Sequence, residues 1–280
     1  MFDRRSRRKF KSGLFVGFCV GSTALALIAL VAILASLLVE GLGGLNVAVF
    51  TQSTPAPGSM GGLSNAIVGS LMLCIVAMIG AMVVGVLAGT WLAEYSADSH
   101  YAKVVRFMND VLLSAPSILV GLFVYEIVVA PAHGFSGWAG ALALGLLAAP
   151  VVTRTTEDVL KLQSRTLRES GVALGTPLAT TIRKILWRAA GGGIITGGLL
   201  AFARISGETA PLLFTSLGNQ FFSLDMGKPI ASLPGVIFNF ALSAYDDWRR
   251  LAWVGAVLIT AAVLGVNILV RVMSREPRRS

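Results

Sequence analysis

An arginine and a glutamate interrupt the apolar stretch at residues 201–214, which reads AFARISGETAPLLF. Arg204 and Glu208 are four positions apart, so on a continuous helix they lie on one face and can form an ion pair. A guanidinium can also bind an oxyanion through its planar fork of N–H donors. We predict that Arg204 and Glu208 line a pathway for an anion. The alternative is a buried ion pair that ties this helix to a neighbouring one.

Pro211 predicts a kink or break in the same helix. A proline cannot donate the hydrogen bond that the carbonyl of Gly207 would receive, and its ring crowds that carbonyl. Irregular backbone at membrane depth is tolerated only where protein or water surrounds it. A break at Gly207 and Pro211 beside two charged residues therefore fits the wall of a transport pathway.

The composition places most of the chain in a membrane. Hydrophobic residues make up 55% of the 280 positions and charged residues only 13%, whereas a soluble protein carries about 25% charged residues. The net charge is +9, but the basic residues lie between apolar runs, which argues against a nucleic-acid-binding domain. Cys19 and Cys74 match no metal or redox spacing, and we expect them to be packing residues.

Six apolar segments are long enough to cross a bilayer as helices, which takes about 20 residues. They are residues 14–38, 65–92, 105–130, 138–156, 190–214 and 251–271. The first is too long for a secretory signal, so we expect it to be retained. The sequence therefore predicts an all-α, polytopic membrane protein with six transmembrane helices. G-x-x-x-G patterns starting at Gly17, Gly85 and Gly193 would allow close helix contacts.

The basic residues predict the orientation of these helices. Most of the 23 Lys and Arg residues lie in the two terminal tails and in the segments 93–106 and 154–188. The segments 39–64 and 131–137 have none. Because Lys and Arg concentrate on the cytoplasmic side of membrane proteins, we expect both termini to be cytoplasmic.

The segment between the fourth and fifth predicted spans is too long for a simple connection. Residues 165–187 read as helix, turn, helix, with Gly175 at the position of a glycine that ends a helix. Thr176 is a candidate N-cap for the second helix, and Pro177 is a candidate first residue.

Glu169, Ser170 and Gly171 fall on the first short helix of this segment. Small residues there would let the surface of another protein approach the backbone closely. We therefore predict that the loop at 157–188 docks a partner protein. The alternative is a solvated, basic loop.

This loop resembles the EAA loop of ABC-importer permeases, which has the form E-A-A-x-x-x-G. Glu169 and Gly175 match the pattern, Ser170 and Gly171 replace its two alanines, and Trp187 stands where a proline is expected. Longer stretches resemble the A-type permease subunit of phosphate-specific ABC importers across roughly residues 64–272. They are ALGTP, ARISGETAPLLFTSLGNQFFSLDM (203–226), PIASLPGVIF (229–238) and SAPSILVGLFVYEI (114–127).

The resemblance implies a type I ABC-importer permease fold in a bacterial plasma (inner) membrane. It implies a homologous permease as heterodimer partner, a dimer of ATP-binding subunits on the coupling loop, and an extracytoplasmic phosphate-binding protein. The sequence has no G-x-x-x-x-G-K-[ST] motif. We therefore expect no enzyme activity and no cofactor in this chain, with ATP and Mg used by the partner ATPase.

The apolar runs and the resemblance together divide the chain. A basic tail at 1–13 precedes the first helix and an external loop at 14–63; a five-helix ABC-importer transmembrane domain at 64–272 precedes a tail at 273–280. Two other functions remain open, namely an ABC permease for another oxyanion and an ATP-independent anion channel or secondary transporter. The lack of detectable inverted repeats argues against the second. Asp110 and Glu126 are weaker candidates for the pathway, and we expect Pro116, which lies between them, to kink the third span.

Overall fold

The computed structural model describes residues 4–96 and 99–273, and every regular element in that part of the chain is a helix. In chain order the helices are α1 (Arg4–Leu42), α2 (Val47–Thr51), α3 (Ser64–Thr90), α4 (His100–Ser114), α5 (Ser117–Val124), α6 (Ala130–Ala132), α7 (Gly137–Lys161), α8 (Arg165–Ala173), α9 (Leu178–Thr181), α10 (Trp187–Ile205), α11 (Ala210–Thr215), α12 (Leu233–Ala241) and α13 (Asp246–Met273). Single π-helical turns follow α3, α5 and α9, at Trp91–Tyr95, Tyr125–Val129 and Ile182–Leu186.

Five helices between residues 4 and 273 are long and apolar enough to cross a membrane, and there are six if α4 and α5–α6 form one span. The predicted all-α, multi-pass membrane fold is therefore confirmed. The helices that pass on their own are α1, α3, α7, α10 with the turns before it, and α13.

The third predicted span, residues 105–130, is two helices rather than one straight helix. The chain bends by 104° between α4 and α5–α6. Ala115 and Pro116 are extended at the bend, because the proline ring disfavours helical backbone at the residue before it. The kink implied by Pro116 is confirmed, and it is sharp enough to point the two halves in different directions.

Helices α3 and α7 form the centre of the bundle and approach each other at two glycines. A Cβ on Gly85 would lie 2.6 Å from the Cβ of Val152, and one on Gly89 would lie 2.5 Å from the carbonyl oxygen of Thr153. α10 joins the same core, where Gly197 faces Thr155. The close contacts predicted from the patterns at Gly85 and Gly193 are confirmed, whereas Gly17 has open space around it.

Helix α1 lies at one side of the bundle, with α13 as its main packing partner. Gly41 is close enough to α13 that an added Cβ would meet the carbonyl oxygen of Trp253 at 2.9 Å. α1 begins at Arg4, so most of the predicted tail at 1–13 is helical and continuous with the first span, as suits a stretch of strong helix formers. The predicted tail at 273–280 lies outside the described residues, apart from its first position.

Candidate functional site

The span that carries Arg204 is interrupted as predicted. α10 ends at Ile205, residues 206–209 are not helical, and α11 begins at Ala210. Pro211 lies in the first turn of α11, where its missing N–H removes no helical hydrogen bond. The predicted break at Gly207 and Pro211 is therefore confirmed, and the sequence accommodates it by starting a new helix.

The expected ion pair between Arg204 and Glu208 is absent. Arg204 lies in the last turn of α10 and is exposed, whereas Glu208 lies in the break and is partly buried. Neither side chain has a hydrogen bond or ion pair with any residue in the described parts of the chain. The prediction was wrong because the helix ends before Glu208, so the two residues do not share one helical face.

The bend at Pro116 and the break at 206–209 are brought together in the bundle. α5, which follows the bend, packs on α11, which follows the break, and Gly121 lies at this contact. A Cβ on Gly121 would lie 2.6 Å from the Cα of Pro211. Discontinuous membrane helices often surround substrate sites, because their free backbone groups need polar partners.

The two weaker candidates lie in different surroundings. Asp110, on α4, is 3.9 Å from Nη1 of Arg154 on α7, and Arg154 also pairs with Asp158 at 3.3 Å. All three side chains are exposed. Glu126 lies in the π-helical turn after α5 and is exposed. Neither acid contacts Arg204 or Glu208.

The loop after α7 forms the predicted helix, turn, helix. Gly175 has a φ of +67°, in the left-handed region that favours glycine. The capping predictions were wrong by one position. Pro177 occupies the N-cap of α9, and Thr176 instead donates from its hydroxyl to the carbonyl of Gly171 at 2.8 Å.

The residues predicted to dock a partner divide into two groups. Gly171 is buried, and a Cβ there would lie 2.5 Å from the side chain of Thr181, so its small size allows α8 to pack on α9. Glu169 and Ser170 are exposed, and the Ser170 hydroxyl donates to the carbonyl of Leu167 at 2.8 Å. The part of α8 that is open to a partner is therefore the side carrying Glu169 and Ser170.

Sequence reasoning missed a buried ion pair at the base of this loop. Arg168, on α8, donates from Nη2 to Glu94 Oε1 at 2.7 Å and from Nε to Glu94 Oε2 at 2.9 Å. The Glu94 side chain is only 4% exposed. Hydrogen bonding to Glu94 raises the pKa of Arg168 above its ordinary value. An acid at the end of a long apolar run was the available signal, since such residues are usually functional.

A second arginine joins the same end of the bundle and was also missed. Arg106, on α4, donates from Nε to Glu157 Oε1 at 2.6 Å and from Nη2 to the carbonyl of Leu92 at 2.9 Å. Lys161 bonds the same carboxylate oxygen at 2.5 Å, and Glu157 is 2% exposed. The two arginines thereby connect α4 and α8 to α7 and to the π-helical turn after α3.

Comparison with known proteins agrees with this architecture. Residues 81–279 match the family described as "Binding-protein-dependent transport system inner membrane component". The chain is 51% identical over 271 residues to a Haemophilus influenzae protein named "Phosphate transport system permease protein PstA", covering 97% of this chain and 96% of that one. A Yersinia pestis protein of the same name is 51% identical over 277 residues, covering 98% and 94%.

Solved structures are similar in fold. A permease chain from the inward-facing MetNI methionine ABC transporter superposes with a TM-score of 0.59 at 16% identity, covering 76% of this chain and 96% of that one. A second crystal form of that transporter gives a TM-score of 0.58. At this identity the likeness concerns the helical architecture alone.

Proposed function

The chain belongs to the family of binding-protein-dependent transport system inner membrane components, and we propose that it is the permease subunit of an ATP-driven phosphate importer. Relatives that share about half of its residues along nearly its whole length are named as phosphate transport permeases. The substrate pathway would form between this chain and a homologous permease in the membrane.

One observation from the geometry supports this function above the others. Arg204 is an exposed cation in a membrane-crossing segment, and it has no ion-pair partner among residues 4–96 and 99–273. A charged residue at the centre of a membrane helix costs about 2.5–3.5 kcal/mol on the insertion scale unless it faces a polar surface. A water-filled pathway shared with a second permease supplies that surface, and an oxyanion supplies the missing charge.

The chemistry of the two charged residues suits transient binding of phosphate. The planar guanidinium of Arg204 can donate two parallel hydrogen bonds to phosphate oxygens. Glu208, four residues further on in the break, places a negative charge near the same point. Repulsion by that carboxylate weakens the bound state, which a transporter needs because it must release what it binds.

The remaining parts of the importer follow from the family and from the charge distribution. The basic segments that flank α8 favour a cytoplasmic location for this helix and for both termini. A dimer of ATP-binding subunits, which uses ATP and Mg, would dock there on Glu169 and Ser170, and a phosphate-binding protein would deliver substrate from the opposite side. ATP-dependent closure of the docked subunits would then drive alternating access through rigid-body motion.

Phosphate uptake by vesicles that contain the complete importer tests this function. Uptake of radiolabelled phosphate is expected to require ATP, and Glu169→Lys is expected to abolish both uptake and retention of the ATPase. Lys11→Glu is the control, because it also reverses the charge of an exposed side chain, on α1. This variant should leave uptake and retention of the ATPase intact. Phosphate entry without ATP would instead indicate a channel or a secondary transporter.

Arg204→Lys tests the role of the arginine itself. The lysine keeps the positive charge but loses the planar fork. We expect the complex to assemble normally while uptake falls by about 10- to 150-fold, corresponding to the 1.5–3 kcal/mol of a charge-assisted hydrogen bond. Loss of assembly would show that Arg204 holds the subunits together rather than binding the anion.

A further inference from the structure

Helix α8 is fastened to two membrane helices through one side chain, that of Arg168. Its guanidinium forms the two bonds to Glu94, which lies in the π-helical turn that continues α3. It also donates to the carbonyls of Leu160 and Gln163, both at 2.7 Å, at the end of α7. Nε therefore bonds to the turn that continues α3, Nη1 bonds to the segment that ends α7, and Nη2 bonds to both.

Because the Glu94 side chain is buried, its ion pair with Arg168 is hard to break. With 4% of its side chain exposed, the carboxylate has little access to water that could replace the guanidinium. Leaving a buried charge without its partner is strongly unfavourable. A displacement of α8 is therefore expected to carry Glu94 with it, and with Glu94 the end of α3.

The second arginine extends the connection across the bundle. Arg106 bonds the carbonyl of Leu92, two residues before Glu94, and joins this turn to α4 and to Glu157 on α7. α4 leads through the bend at Pro116 into α5, which packs on α11 beside the break that follows Arg204. Side-chain contacts, together with the backbone that joins α4 to α5, thus connect α8 to the proposed pathway.

We propose that the Glu94–Arg168 ion pair transmits movement of α8 to α3 and α7, and so couples ATP hydrolysis in the partner to opening of the pathway. The proposal rests on the proposed function as an importer. Arg168 touches neither substrate nor nucleotide, and it acts as a positioning residue. It differs from Glu169, which meets the partner directly, because its bonds are directed into this chain.

The test measures phosphate imported per ATP hydrolysed in vesicles that contain the complete importer. Glu94→Gln keeps the shape of the side chain and removes its charge, while Arg168→Gln removes the other half of the pair. Each is expected to lower the ratio about tenfold, within the usual range of coupling between distant sites, while ATPase activity and subunit retention persist. Lys103→Gln is the control, because Lys103 is an exposed residue of α4 outside the docking loop, three positions before Arg106, and the ratio of that variant should not change.

The double variant supplies a second criterion. If the two residues act as one link, Glu94→Gln with Arg168→Gln should lower the ratio no further than either change alone. The proposal is overturned if the ratio stays at the wild-type value, if the two effects multiply, or if the variants lose the ATPase from the purified complex. A wild-type importer that moves phosphate without ATP would instead contradict the proposed function, so the two failures are distinguishable.

Discussion

Replacement of Gly89 by alanine should force α3 and α7 apart. The added Cβ would lie 2.5 Å from the carbonyl oxygen of Thr153, 2.7 Å from the Cβ of Thr156 and 3.1 Å from the amide nitrogen of Glu157. Ordinary contacts with a Cβ begin at 3.4 Å. Two of these three atoms belong to the α7 backbone, so rotation of a side chain cannot relieve the overlap, and the helices must separate by roughly 0.9 Å.

The magnitude follows from two opposing effects. Alanine stabilises a helix by about 1 kcal/mol relative to glycine. Overpacking of a tight contact costs about 1–3 kcal/mol, and the upper end applies here because backbone must move. The net destabilisation should be about 2 kcal/mol, which lowers the melting temperature of a chain of this size by about 4–8 °C.

Thermal unfolding of the purified complex in detergent measures this effect. Gly80→Ala is the matched control, because Gly80 lies on the same helix and an added Cβ would meet no atom within 4 Å. That variant should keep or slightly raise the melting temperature. Equal shifts for the two variants, or no shift for Gly89→Ala, would refute the argument that α3 and α7 are held at backbone contact.

Substitutions at three other positions test a buried hydroxyl, a buried amide and a left-handed glycine. Each is measured by the same thermal unfolding of the purified complex. Thr156→Val should stabilise the complex by about 1 kcal/mol, because the buried Thr156 hydroxyl has no hydrogen-bond partner in the described part of the chain; a lower melting temperature would contradict this. Asn65→Ala should destabilise it by roughly 3 kcal/mol, since buried Asn65 bonds Thr54 and the carbonyls of Asn219 and Gln220. Asn65→Asp should be at least as destabilising, because a buried carboxylate cannot donate to those two carbonyls. Gly175→Val should cost about 1–2 kcal/mol at its left-handed φ, whereas Gly175→Asn should be close to neutral.

The features that the sequence predicted correctly depend on neighbouring residues. Long apolar runs identify the membrane helices, since a helix must satisfy its own backbone groups in lipid. Pro116 and Pro211 locate the two interruptions because the ring acts on the residues just before it. Gly175 locates the turn after α8 for an equally local reason, its left-handed backbone.

The features that sequence reasoning missed depend on distant residues. Glu94 and Arg168 are separated by 74 positions, and Arg106 and Glu157 by 51. Nothing in the local pattern states which helices lie side by side, so neither pair was predictable from spacing. Their acidic members nevertheless lie within or beside apolar runs, and a search for partners of such acids would have singled them out.

The wrong prediction at Arg204 has a related cause. The four-residue spacing to Glu208 specifies an ion pair only if the helix continues between them. The break that Pro211 itself predicts ends the helix at Ile205, so the two local signals were incompatible. Gly171 shows a similar limit, because small size alone does not distinguish an internal contact with Thr181 from an external one.

The packing of α1 on α13 has a consequence for biosynthesis. The chain is made from its N-terminus, so α1 is synthesised before α13, its main packing partner. Until then, the surface around Gly41 that receives α13 must be covered by lipid or by the insertion machinery. Membrane entry of α1 therefore depends on its own hydrophobicity rather than on contacts with α13, and α1 can dock only after α13 has been made.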